Sequence, residues 1–578
     1  MSPNKFTRPV VTRGSHSKTK SLDEHISLDR LKCASIHHPS QILIDHLLQY
    51  LTMAQRVRRD INALVADAAN GNTKPLDDLI TAWAGIQALD PNDDHSFFKI
   101  AGYHGMPFRG AGWGNLQWWG GYCHHGNVLF PTWHRAYLFN LEEALRTIVP
   151  TVTLPFWNEC SNATASDGIP DIFLQKFYKL NGQDIPNPLY SYTLQKSLID
   201  NLAVDGTINP YNYSKQANYT TVRYPQAGLV GTDKDRAASA AQNALYSDPV
   251  QNAKLLNENV KTWLLQETYT GSDGSKTDAG TRKKYETCLN APNYTVFSNT
   301  TSAQAWNQEK SATDPTVVPL ESPHNDMHLA VGGFEVPGFD ASRIHGAQGD
   351  MGENETAAFD PIFFFHHCWV DNVFWQWQVK NNDKMHTVSK LSLMENYPGT
   401  NSVDSQGPTP GVAGGTWLTL DSPLYPFRSP QNPTAWATSN DVTNILQLGY
   451  SYENVTGPSP RLGLTPVKPA QVVAHLSGVN KADVRGSFMI GVFGTVAGKE
   501  QLLGMESVLS RWHIDGCGAC QVHSNVRVNL PLHGITHDDV DGSGANFYAK
   551  VITREGVVNQ TKDGDKLKPL LSIIKKHV

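Results

Sequence analysis

No run of 18 consecutive apolar residues occurs anywhere in the 578-residue chain, so no segment reads as a membrane-spanning helix. The opening stretch, MSPNKFTRPVVTRGSHSKTKSLDEH, is polar and lacks the apolar centre of a secretory signal. A cytoplasmic location is the expectation, without excluding a secreted form. Lysine and arginine total 48 against 54 acidic residues, a net charge of −6, and they form no cluster. That argues against a nucleic-acid partner. Cysteine is scarce: seven residues, an odd number, do not read as a disulfide framework. Asn-x-Ser/Thr triplets, for example at Asn212, Asn218, Asn293 and Asn299, then read as chance rather than as glycosylation sites. What the chain has in excess is histidine, 22 copies.

The pattern along the chain divides it in two. HPSQILIDHLLQYLTMAQRVRRDINALVADA has helical apolar spacing over a long span, following a polar arm. PTWHRAYLFNLEEALRTIV predicts a helix with Pro131 in its first turn and Leu138, Leu141, Leu145 and Ile148 on one face. Residues 160–315 are polar and turn-rich. DPIFFFHHCWVDNVFWQWQVK is apolar nearly all round and predicts a buried helix. Near Tyr450 the character changes. A Pro/Gly-punctuated linker over 456–470 leads to short β-type runs such as QVVAHLSGV, SFMIGVFGTVA, SNVRVNLPL and ANFYAKVITRE. The expected architecture is a mainly α core over 1–455 and an antiparallel β-sandwich over 471–578.

Histidine is so frequent that one His-x-x-x-His pair carries no argument. His533 and His537 have that spacing among turn residues and read as chance. Two aromatic blocks are denser. The first offers His104, then His124 or His125, then His134. The second offers His324 and His328, which share a helical face, then His366 or His367. Each block provides three imidazoles with no carboxylate or thiolate required. All-imidazole ligation suits copper, zinc, iron or nickel rather than magnesium or calcium. Two such sets facing each other favour two coppers, which together supply the two electrons of dioxygen reduction.

These residues resemble a known family. YCHHGNVLFPTWHRAY, HNDMHLAVGG and DPIFFFHHCWVDN resemble the two copper-binding regions of the type 3 copper proteins: tyrosinases, catechol oxidases and hemocyanins. LPFWNE and the YSY of Tyr450–Tyr452 resemble further segments of that family, with Asn158 where an acid is more usual. The resemblance implies a four-helix bundle around the copper pair, held by His104, His125 and His134 on one side and His324, His328 and His367 on the other. It implies a thioether between Cys123 and His125, which leaves His124 at the surface or just behind the site. It places Asp371 one turn after His367, where it could orient that face; Asn372, where many relatives have arginine, leaves the outer pairing open. Glu321 and Asn325 resemble the pair that holds a water near the second copper, where it would take a phenolic proton. A plain helix-start carboxylate is the other reading of Glu321. Leu329 is expected at the substrate entrance.

The C-terminal region carries Cys517-Gly-Ala-Cys520. Its layout resembles fungal pro-tyrosinases, whose C-terminal domain covers the active site and whose Cys-x-x-Cys is linked to copper loading. A zinc site with His513 and His523, or two ordinary thiols in a turn, are the alternatives. The expected function is dioxygen-dependent oxidation of phenols and o-diphenols to o-quinones by an enzyme made latent, with an activating protease and an oligomer both open. A catechol or o-aminophenol oxidase without phenol hydroxylation, or a hemocyanin-like oxygen carrier, are the rivals.

Overall fold

The computed structural model describes residues 56–577 apart from 106–120, 203–207, 229–232, 266, 271–275, 311–312, 337–343, 382–389, 402–415, 454–468, 497, 513–524, 543 and 562–563. The sequence expectations for the linker, for Cys517 and Cys520 and for His513 and His523 fall largely or wholly outside the described residues.

Two 19-residue helices, Phe130–Ile148 and Ile362–Lys380, pack against each other at the centre of the core. Pro131 lies in the first turn of the former, where its missing N–H costs nothing. In the latter, every residue from Ile362 to Gln378 is buried, as its all-round apolar sequence requires. The 12-residue helix Glu321–Gly332 lies across them, and the short helix Phe97–Gly102 ends just before His104. The helix Lys74–Ala88 backs the first long helix, and Pro249–Leu265 and Thr281–Cys288 back the third. Asn293 and Asn299 are helix N-caps whose side chains accept from Val296 N–H and Ser302 N–H. These two glycosylation-like triplets therefore have a capping role.

One expectation is corrected. The helical periodicity read across residues 38–68 does not hold at Arg56–Arg58, which form a strand pairing in parallel with Tyr450–Tyr452. The helix starts only at Ile61, after Asp60, whose side chain accepts from Asn62 N–H as an N-cap. The pairing is reinforced by a buried charge network. Arg58 donates to Glu142 at 2.6 Å and faces Tyr450 with its guanidinium 3.7 Å from the ring centroid. Tertiary contacts of that strength override local periodicity.

Beyond the core, two antiparallel sheets stack. One orders Asn525–Pro531, Val472–Asn480 and Leu570–Lys575; the other orders Lys499–Val508, Phe488–Val496, Phe547–Thr553 and Gly556–Val558. Val472, Leu476, Phe488, Ile490, Val492, Leu503 and Leu532 belong to their own apolar cluster. Met489, Phe493, Leu502, Met505, Trp512 and Ile552 instead join the cluster of the helical core. The sandwich therefore has an interior of its own and a second apolar face spent on the helices.

Candidate metal centre

Six imidazoles converge where the three longest site-bearing segments meet. His134 comes from the first long helix, His324 and His328 from the crossing helix, His367 from the second long helix. His104 and His125 come from the turns beside them. In the first set, ring centroids are separated by 5.4 Å for His104–His125, 5.3 Å for His125–His134 and 5.7 Å for His104–His134. In the second set, His324–His328 are 4.6 Å apart, His324–His367 4.8 Å and His328–His367 5.7 Å. The sets face each other across His134–His367 at 4.4 Å and His125–His324 at 5.6 Å. Phe130 and Phe363 wedge between the rings and limit their rotation.

Hydrogen bonds fix which nitrogen four of the six rings offer. Nδ1 of His134 lies 2.8 Å from Phe130 O, that of His328 2.7 Å from Met351 O, that of His104 3.2 Å from Asn354 O, and that of His324 3.0 Å from Asn325 Oδ1. An oxygen acceptor at Nδ1 assigns the proton there and leaves the Nε2 lone pair free. Those lone pairs have no donor to meet among the described residues. Nε2 of His104, His125 and His134 is buried without a hydrogen-bond partner. Nε2 of His324 lies 3.1 Å from that of His328 and 3.2 Å from that of His367. His324 and His328 both have an oxygen at Nδ1, so their two Nε2 atoms are acceptors 3.1 Å apart, which repel one another unless a cation lies between them. The residues therefore fit a metal pair, and their all-nitrogen donor set fits copper. Burial, the largest influence in every case, holds these imidazoles below their ordinary range, with His134 at about 3. They stay neutral, as ligands must be, through mild acid.

Both histidine doublets divide their labour. His124 is buried rather than on the surface, with Nδ1 3.2 Å from Asn127 Nδ2. His366 sends Nδ1 to Glu159 Oε1 at 2.5 Å, and Tyr285 OH donates to the other oxygen of Glu159 at 2.8 Å. His366 still belongs to the group of four imidazoles with His324, His328 and His367 whose ligand atoms lie within 4.8 Å. It is the one of the four whose Nδ1 is held by a carboxylate.

Other sequence expectations are placed as follows. Cys123 lies with His104 and His125 in a group whose ligand atoms fall within 4.8 Å of one another. Asp371 does not touch His367. Arg135 Nε donates to its Oδ1 at 2.5 Å, and the hydroxyls of Tyr450 and Tyr452 donate to Oδ2 at 2.7 and 2.5 Å. It ties the two long helices and the closing strand together. Asn372 accepts from Gln376 four residues on. Glu321 accepts from Gly126 N–H at 2.8 Å through Oε1, and from Thr300 N–H and hydroxyl at 2.9 and 3.0 Å through Oε2. It thus fastens the His125 turn to the start of the His324 helix. Leu329 is fully buried.

Sequence reasoning missed Glu159 and the segment Asp350–Phe359, whose carbonyls at Met351 and Asn354 orient one imidazole in each set. Carbonyl partners carry no side-chain signature, so no sequence signal could have found them. Glu159 was legible only as the residue after Asn158 in LPFWNE.

The β-sandwich covers this centre. Arg511 Nη2 lies 3.9 Å from Cys123 Sγ, and Trp512 N–H donates to Glu355 Oε1 at 3.0 Å. Glu506 accepts from Lys284 Nζ at 3.1 Å and from Ser322 Oγ at 2.8 Å, while Lys284 also meets Asp326 at 2.9 Å between the two histidines of the crossing helix.

The comparisons agree with this geometry. Residues 94–380 match the family model described as the common central domain of tyrosinase. A tyrosinase of Aspergillus oryzae is 47% identical over 497 residues, 82% of this chain and 89% of that protein. The tyrosinase HcTyr2 of a Hahella species is 47% identical over 511 residues, 84% of this chain and 90% of that protein. Among solved structures, a tyrosinase from Burkholderia thailandensis superposes with a TM-score of 0.76 at 43% identity, covering 90% of this chain and all of that one.

Proposed function

This chain belongs to the tyrosinase family, and from that premise we propose that it is a latent dicopper oxidase that converts phenols and o-diphenols to o-quinones with dioxygen. The observation that carries the reading is the pair of facing three-imidazole sets, with Nε2 of His104, His125 and His134 buried without a partner and Nε2 of His324 close to those of His328 and His367. His104, His125 and His134 would hold one copper, and His324, His328 and His367 the other. Bound there, the two ions would supply dioxygen with two electrons, one each.

The chain's own residues do the rest. Carbonyls and Asn325 keep the ring protons of His104, His134, His328 and His324 at Nδ1, leaving Nε2 of those four as the ligand nitrogen. Phe130 and Phe363 lock ring orientation and keep bulk water out. Glu321 retains one lone pair on Oε1 beyond its bond from Gly126. With the Asn325 amide it would hold a water at the second copper, and burial raises its basicity. That water is the acceptor for the proton a phenol must lose, since a free phenol with a pKa of about 10 stays protonated at neutral pH.

The deciding assay compares 4-tert-butylphenol with 4-tert-butylcatechol on copper-loaded protein freed of its sandwich domain. Oxidation of both supports the tyrosinase reading. Catechol oxidation alone makes the chain a catechol oxidase, and reversible dioxygen uptake without turnover makes it a carrier.

A second test concerns Cys123. The proximity of its sulfur to the His125 ring supports a thioether between them, which would pin that ring against rotation. Burial lifts the thiol to about 11, so the uncoupled cysteine is protonated and inert toward ordinary alkylation. Digestion of mature, denatured protein is expected to yield one cross-linked Cys123–His125 peptide lighter by a pair of hydrogens. Alkylated Cys123 recovered from denatured, fully active protein rules the bond out.

A further inference from the structure

Both histidine sets depend on one short stretch of backbone. Met351 O lies 2.7 Å from Nδ1 of His328, and Asn354 O lies 3.2 Å from Nδ1 of His104. The stretch is a succession of turns: Asp350–Gly352 is a single 3-10 turn, and residues 354–356 form another turn. Turns fix the shape of such a segment. Its placement against the core is left to bonds from farther away. Those bonds converge on Asp350. Its Oδ1 accepts from Lys215 Nζ and from Thr356 Oγ1, the latter at 3.2 Å. Its Oδ2 accepts from Tyr219 OH at 2.7 Å and from Val222 N–H at 2.8 Å. Four donors fill the acceptor positions of one carboxylate. Lys215 Nζ also donates to Thr356 Oγ1 at 2.9 Å. The side chains of Lys215, Asp350 and Thr356 are all buried. Lys215 ends the strand Ile208–Lys215, which pairs with Leu198–Leu202, and it reaches Asp350 from 135 positions away. A single ammonium thus grips the residue just before Met351 and the residue two after Asn354. Bonds to charged groups are the stronger kind, and in a dry interior no water replaces one that is lost.

We propose that Lys215 is a positioning residue for both histidine sets. By gripping Asp350 and Thr356 together it holds the stretch between them, and so keeps the two carbonyls where they fix the Nδ1 protons of His328 and His104. One clamp therefore serves both metal positions. The polar hairpin that carries Lys215 holds no ligand of its own, yet it sets which nitrogen two of the ligands offer. This inference rests on the dicopper reading above.

The test uses the full-length chain labelled with 15N-histidine, metal-free and, under exclusion of dioxygen, loaded with diamagnetic Cu(I). The imidazole N–H signals are compared between variants. His134 and His324 are internal references, because their Nδ1 protons go to Phe130 O and Asn325 Oδ1, outside the stretch. Lys215→Met is expected to shift the Nδ1–H signals of His104 and His328 and to leave those of His134 and His324 in place. Titration against a chromophoric chelator is expected to show both copper equivalents weakened together, on the order of ten-fold, as when a partner behind a metal ligand is removed. Thr356→Ser keeps the hydroxyl and is expected to match the parent, while Thr356→Val is expected to shift the same two signals as Lys215→Met. Should Lys215→Met fail to fold, the two Thr356 variants carry the comparison. Four signals that move alike would show a general loss of packing and overturn the proposal. So would His104 and His328 signals that stay in place, or copper affinity that is unchanged beside shifted signals. A parent protein that takes up no copper instead overturns the dicopper reading, and the metal-free spectra still decide whether Lys215 sets the two protons.

Discussion

His367→Ala is expected to leave the chain with one tightly held copper, while His366→Ala keeps two. The two residues are adjacent, equally buried and on one helix, so composition and burial cannot separate them. The expectation rests on position. His367 Nε2 sits 3.2 Å from His324 Nε2, and its ring stacks on His134 at 4.4 Å, on the line joining the two sets. His366 spends Nδ1 on Glu159 at 2.5 Å, and its Nε2 is likewise buried without a partner, so the two variants decide between the rings. Loss of a ligand from a three-imidazole set exceeds the ten- to hundred-fold cost of losing an outer partner, so the second ion should dialyse away against a modest chelator. His366→Ala has a different cost. It strips a buried carboxylate of a partner, worth about 1–3 kcal/mol of stability, and lowers the melting temperature without emptying the site. Copper per chain and melting temperature, measured together, separate the two outcomes. The opposite ranking would sink the assignment of the doublet.

Release of the sandwich domain is expected to raise 4-tert-butylcatechol turnover by two to three orders of magnitude. The domain is tethered, so its effective concentration at the site is roughly millimolar. A cover of roughly micromolar intrinsic affinity would then be open about one part in a thousand. The seam supports such an affinity. Glu506 joins Lys284 and Ser322, Asn529 donates to Gln304 at 2.8 Å, and Phe493, Leu502, Met505 and Trp512 pack into the helical core. Cutting alone is therefore expected to activate only partly, because a docked fragment still excludes substrate. Full activity should appear once the fragments are separated, with Arg461 and Lys468 in the linker as tryptic targets. Intact, copper-loaded protein that already matches the isolated core would show that the domain is no lid.

The sequence made the chemistry legible and left its support hidden. The candidate ligands are histidines set within dense motifs, so all six stand out in the chain. The long helices were readable because apolar residues either follow one face, as after Pro131, or fill every face, as from Ile362. What escaped was whatever depends on backbone or on distant partners. The carbonyls of Met351 and Asn354 could belong to any residue type. Arg56–Arg58 look helical until Tyr450–Tyr452 arrive almost four hundred residues later to pair with them. Asp371 was placed correctly on the His367 helix but given the wrong neighbour, because its true partner, Arg135, lies on another helix 236 positions away. Glu321 divides similarly: its place at the helix start was readable, its grip on Gly126 and Thr300 was not.

That same early strand bears on how the protein matures. Arg56–Arg58 runs alongside Tyr450–Tyr452, Glu453 N–H donates to Arg58 O at 2.9 Å, and Arg59 Nε donates to the Glu453 carboxylate at 3.1 Å. The last core residue before the linker is thus stitched to the first described strand. Should the chain be cut within 454–468, the end of the core would still be tied to its beginning at Glu453, by backbone to Arg58 and by side chain to Arg59.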